Sequence, residues 1–65
     1  MRLSQNVSDY LLYSFGMSPT EQENVERMIE QLGNEERQIQ FLATIKEAAC
    51  TRRVANPAGY LVQSL

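Results

Sequence analysis

Apolar positions recur along this chain at helical spacing, and each run is bracketed by residues that start or stop a helix. The clearest run is Val25, Met28, Ile29 and Leu32, which fall at i, i+3, i+4 and i+7 and so form one stripe of an amphipathic helix. In front of it, "SPTE" (Ser18–Glu21) has the form of a capping box. The Ser18 side chain can accept from the Glu21 N–H while Glu21 reaches back to the Ser18 N–H. Pro19 then takes the first helical position, where its missing N–H costs nothing. Gly33 follows the stripe as the residue most able to turn left-handed. The spacing predicts a helix over about 19–32.

Three further runs read the same way. Val7, Tyr10, Leu11, Ser14 and Phe15 share a helical face, with Ser4 or Asn6 as cap and Gly16 as stop, which predicts a helix over about 5–15. Asn34 can cap a third helix over about 35–51, and Glu35 and Glu36 suit its positive end. Ile39, Phe41, Leu42, Ile45, Ala48 and Ala49 cover an arc wider than one stripe, so this helix is expected to be buried on two sides and central. Asn56 and Pro57 open a last helix over about 57–65, with Ala58, Leu61, Val62 and Leu65 as its stripe. No stretch sustains period-two alternation. The expected fold is all-α, a single domain built as a small bundle of three to four short helices.

Size limits what such a bundle can do alone. A chain of 65 residues buries only ~60% of the surface its unfolded form exposes. Below ~70–80 residues a core rarely contributes more than ~3–5 kcal/mol without a disulfide, a metal or a partner. One cysteine, Cys50, and no histidine rule out an internal disulfide and the usual zinc sites, which leaves a partner chain, a homo-oligomer included, or a larger parent protein as the expected stabiliser. The opening "MRLSQNVSDY" lacks the apolar stretch of a signal peptide, and no run approaches the ~20 apolar residues of a membrane span. A soluble cytoplasmic protein without membrane contact is expected.

Catalytic chemistry is thinly represented. The commonest general base, histidine, is missing. Cys50 follows two alanines near a helix end where the dipole disfavours a thiolate, and reads as a buried, inert small residue. Glu23, Glu26 and Glu30 share a helix face, a pattern more typical of solvated surface than of a metal site. No glycine-rich phosphate loop occurs. The chain is therefore expected to be non-enzymatic, with no cofactor and no metal. The spacing of Gly33, Ile39 and Leu42 fits a helix-turn-helix. Against it, bulky Ile29 stands where a small residue normally lets the helices approach, and Glu35 and Glu36 would face phosphates. An ordinary helical hairpin is the expectation there.

Charge divides the chain. Residues 1–36 hold two arginines and seven acidic side chains, residues 37–65 four cations and one acid. Such polarity suits an anionic partner at one face, or head-to-tail contact between copies. The closing "RRVANPAGYLVQSL" (Arg52–Leu65) concentrates the basic candidates. Lys46, Arg52 and Arg53, with the amides of Ala58 and Gly59 at an open helix N-terminus, form a candidate anion or nucleic-acid site. Gly59 costs ~1 kcal/mol against alanine inside a helix. Close packing against the preceding helix or approach of an anion would each explain it. Tyr60, Leu61, Val62 and Leu65 form a candidate surface for a protein partner. The alternative surface is acidic: Glu21, Glu23, Glu26 and Glu30.

"NPAGYL" (Asn56–Leu61) followed by an apolar helix resembles a segment of helical domains in plasmid and phage replication proteins, the initiator and DnaD-like group. "YSFGMS" (Tyr13–Ser18) and "MIEQLGNEERQIQFL" (Met28–Leu42) precede it in the order seen there. The resemblance implies an all-α module tied to replication or maintenance of mobile DNA, binding a protein partner and contacting nucleic acid weakly. The alternative is a small phage- or plasmid-type adaptor or inhibitor that binds its target through the acidic helix.

Overall fold

The computed structural model describes residues 3–65. Four helices follow one another, α1 (Gln5–Phe15), α2 (Pro19–Glu30), α3 (Glu35–Thr51) and α4 (Pro57–Ser64), and no strand occurs among the described residues. The all-α expectation holds, and α1 and α3 have the expected bounds. Every helix opens on a capping side chain that accepts from the N–H three residues on: Ser4 from Val7, Ser18 from Glu21, Asn34 from Arg37 and Asn56 from Gly59. Each such cap contributes ~1 kcal/mol, a sizeable share for so small a core. The capping box at Ser18 is complete, its N–H donating to Glu21 Oε1 at 3.2 Å. Gly16, at φ +68°, ends α1.

α2 ends two residues before the expected point. Gln31 and Leu32 tighten into a turn, with Leu32 N–H on Ile29 O at 3.0 Å and Gly33 N–H on Glu30 O at 3.4 Å. Gly33, at φ +126°, redirects the chain toward α3 instead of closing α2 as a left-handed cap. α4 stops one residue short of Leu65, at Ser64.

α3 is central, packed between α1 and α4, as its broad apolar arc implies. α1 runs beside α3 in the same direction. Ser4 Oγ donates to Glu35 Oε1 at 2.6 Å near one end, and Lys46 Nζ donates to Ser14 O at 2.5 Å near the other. α2 packs mainly on α1, so α2 and α3 form a hairpin without the close mutual packing of a helix-turn-helix. The core joins Val7, Leu11 and Phe15 of α1 to Met17, Val25, Ile29, Leu42, Ile45 and Leu61.

Two glutamines complete this packing. Gln22 and Gln38 are both 8% exposed, and each donates from Nε2 to the carbonyl just before the helix cap, Met17 O at 3.0 Å and Gly33 O at 2.9 Å. Gln22 Oε1 also accepts from Ser8 Oγ at 2.7 Å, pinning α2 to α1. The inward stripe of α2 therefore runs through Gln22, Val25 and Ile29. Met28, expected in that stripe, lies on its flank and is exposed. Cys50 is also exposed and not buried, because Ala49 takes the inward position beside it.

Candidate functional site

The residues of the expected anion site do not converge. Lys46 is half-buried, donating to the Ser14 carbonyl, with its ammonium 5.8 Å from the Phe15 ring centroid. It serves the carbonyl end of α1, where the helix dipole favours a cation and the ring face adds to the attraction. Gly59 N–H is taken by Asn56 Oδ1 at 3.3 Å, and Tyr60 N–H by Asn56 O at 3.1 Å. A Cβ at Gly59 would sit 3.1 Å from Asn56 Nδ2, so this glycine makes room for its own cap, not for a neighbouring helix or an anion. Pro57 has no N–H, which leaves the Ala58 amide at the start of α4. The groove there is lined by Met17, Glu21, Asn24, Asn56, Ala58, Gly59 and Val62. Its charged wall is Glu21, which repels an anion.

Arg52 and Arg53 remain. Both are exposed on the turn after α3, and neither guanidinium has a hydrogen-bond or ion-pair partner among the described residues. The turn is nevertheless fixed. Arg53 N–H donates to Cys50 O at 3.2 Å and Val54 N–H to Ala49 O at 2.9 Å, the two bonds of a Schellman closure. Arg53 fills its left-handed position at φ +55°, where glycine is usual.

The expected partner surface on α4 is largely core. Leu61 is fully buried, and Ala58, Tyr60 and Leu65 pack against the core around it. Val62 alone of that group faces outward. The reason is spacing: Ala58, Leu61 and Leu65 at i, i+3 and i+7 already satisfy one buried face.

The acidic candidates separate too. Glu21 Oε1 is held by Ser18 N–H and Oγ in the capping box. Glu23 and Glu26 line a groove of about 320 Å³ between α1 and α2, with Leu3, Ser8, Pro19 and Gln22. Glu30 lies half-buried one turn further along α2. α1 also carries exposed apolar residues that were not singled out from the sequence. Leu12 is 39% exposed and Tyr13 81% exposed. Leu12 stands one turn after Ser8 and so prolongs the groove's rim. A signal for both existed: they lie about 100° and 200° around the helix from Leu11, off the Val7–Leu11–Phe15 stripe.

No helix among the described residues is long and apolar enough to cross a membrane. No protein-family model matches the chain, and no curated protein or solved structure matches it either.

Proposed function

We propose that this chain is a non-enzymatic helical module of the cytoplasm that docks a protein partner through its α1–α2 surface. Leu12 and Tyr13 supply the apolar contact, and Glu23 and Glu26 a charged rim. The observation that carries this reading is Tyr13, a large aromatic side chain left 81% exposed, next in sequence to an exposed leucine. Tyrosine is enriched among residues that dominate interfaces because it combines apolar area with a polar tip. Burying a fully exposed large apolar side chain contributes ~1.5–3 kcal/mol, and Leu12, 39% exposed, has about 0.6–1.2 kcal/mol of that left to gain. The adaptor reading of the acidic helix is thus favoured, with the centre of contact moved onto α1. The resemblance of "NPAGYL" to replication proteins supports reading that partner as one engaged in replication or maintenance of mobile DNA.

Nucleic acid is a secondary contact in this reading. With Lys46 and the Gly59 amide committed within the fold, Arg52 and Arg53 are left, on a chain of net charge −2. Two phosphate contacts give a salt slope near −1.8 at ~0.9 per contact.

Capture from a lysate of the source cell, with wild-type and variant chains as bait, tests the reading. Leu12→Ser/Tyr13→Ser and Glu23→Arg/Glu26→Arg are expected to lose a partner that Arg52→Ala/Arg53→Ala retains. Retention by the first two variants, both still folded, would sink the proposal. Duplex DNA binding with a slope well steeper than −1.8 would move the emphasis to nucleic acid.

A further inference from the structure

We propose that the partner of the α1–α2 surface is a second copy of this chain, whose Arg52–Arg53 turn enters the groove beside Glu23 and Glu26. This rests on the α1–α2 surface being the docking face. The turn offers two guanidinia that nothing in the described fold engages, displayed from a backbone held by two hydrogen bonds. A turn already fixed loses little freedom on binding, which keeps the ordering cost of association low. Across the contact, Glu23 and Glu26 are three residues apart on one helix face and line the same groove. A guanidinium presents a planar fork of donors that matches a carboxylate bidentately.

Charge complementarity selects the occupant. Seven of the eight acidic side chains lie in residues 1–36 and four of the six cations in residues 37–65, so each copy carries both halves of the contact. Nucleic acid fits less well, because Glu47 and Arg52 line the same depression on α3 and the chain as a whole is anionic. Turn and groove are different patches, so the contact is heterologous and propagates head to tail into a ring or an open row. Each exposed ion pair strengthens binding about 1.4- to 5-fold, and two of them about 2- to 30-fold, so the assembly is weak and salt-sensitive.

Sedimentation velocity over a concentration series tests this. Charges act over ~30 Å at 0.01 M ionic strength and only ~3 Å at 1 M. Species larger than the monomer are expected at the low ionic strength and are expected to dissociate at the high one. Arg52→Glu/Arg53→Glu and Glu23→Arg/Glu26→Arg are each expected to sediment as monomers, while an equimolar mixture of the two restores assembly because each turn then faces an opposite groove. Arg52→Gln/Arg53→Gln, which neutralises the turn without reversing it, is expected to weaken assembly in the same way, and thermal melts establish that every variant is folded. A wild-type monomer at every concentration, or assembly indifferent to both reversals, overturns the proposal. So does a monomer that binds duplex DNA through the same arginines. If the chain stays monomeric yet Glu23→Arg/Glu26→Arg still loses a lysate partner, the second copy is excluded and the docking surface stands. If neither association nor capture responds, both readings fail.

Discussion

Replacing Gln22 with alanine probes how much of this small fold depends on one polar side chain. The substitution removes the donor to Met17 O at 3.0 Å and the acceptor for Ser8 Oγ at 2.7 Å. Met17 is 2% exposed, so its carbonyl loses a partner where water has poor access, a loss of ~1–3 kcal/mol. Ser8 is half-buried and can turn its hydroxyl to water, which adds little. The deleted methylene costs a further ~0.8 kcal/mol, offset by the ~1.5 kcal/mol of rotamer freedom that folding no longer removes. The net loss is about 1.3 kcal/mol, within a range of ~0.3–2.3, against a total stability of ~3–5 kcal/mol. Thermal melts followed by far-UV circular dichroism should fall by about 5–10 °C, at ~4–8 °C per kcal/mol for a domain of this size. Gln38→Ala is the control, because it gives up one bond to Gly33 O and no second partner. Gly33 is exposed and its carbonyl can turn to water, so this loss should be well below that of Gln22→Ala. Gln22→Glu keeps the acceptor for Ser8 but sets a carboxylate against the Met17 carbonyl. Protonation restores a donor, so this variant should regain stability relative to Gln22→Ala as pH falls toward ~4. A Gln22→Ala variant as stable as the native chain, or a Gln38→Ala loss as large as that of Gln22→Ala, would refute the reasoning.

Three further outcomes follow from the same geometry. Lys46→Met should destabilise by ~1 kcal/mol in urea denaturation, since the Ser14 carbonyl and the Phe15 ring lose their cation, while leaving the salt slope of any DNA binding unchanged. Arg53→Gly should stabilise by ~0.5–1 kcal/mol, the relief of a left-handed arginine exceeding the unfolded-chain freedom that glycine adds; a loss of stability would show that the φ of +55° carries no strain. Gly59→Ala should gain less than the ~1 kcal/mol of helix propensity in the native chain, because its methyl crowds the Asn56 cap at 3.1 Å, and should recover the full gain in an Asn56→Ala background; equal gains in both backgrounds would remove that crowding as the reason for the glycine.

Helix starts were legible because capping is local. Ser18 with Glu21, Asn34 with Arg37 and Asn56 with Gly59 each close over three residues, so identity and spacing suffice to place them. Met17 and Gln22 were missed for different reasons. A methionine directly after a stop glycine sits where a helix end commonly makes an apolar contact, a signal that was present and went unused. Gln22 carried no such signal, because a polar residue reads as surface until the carbonyl and hydroxyl it serves are located in space.

The same limit governs the candidate site residues. Lys46 belonged with Arg52 and Arg53 on charge alone, yet its partner is the carbonyl of Ser14, 32 residues earlier in the chain. Nothing local marks that pairing. Tyr60, Leu61 and Leu65 were legible as an apolar stripe, but a stripe does not say whether its own core or another protein covers it. In a chain this small the core claims the first regular stripe of every helix, since each fully buried leucine is worth ~1.5–3 kcal/mol against a total of only ~3–5. A binding surface must then be made from apolar residues the stripes leave over. Leu12, Tyr13 and Val62 are such residues: Leu12 lies one turn from Ser8, which lines the groove that holds Glu23 and Glu26, and Tyr13 projects about 100° further round α1. Subtracting each helix's inward stripe from its apolar residues singles out α1, which keeps two exposed large side chains, Leu12 and Tyr13, where α4 keeps Val62.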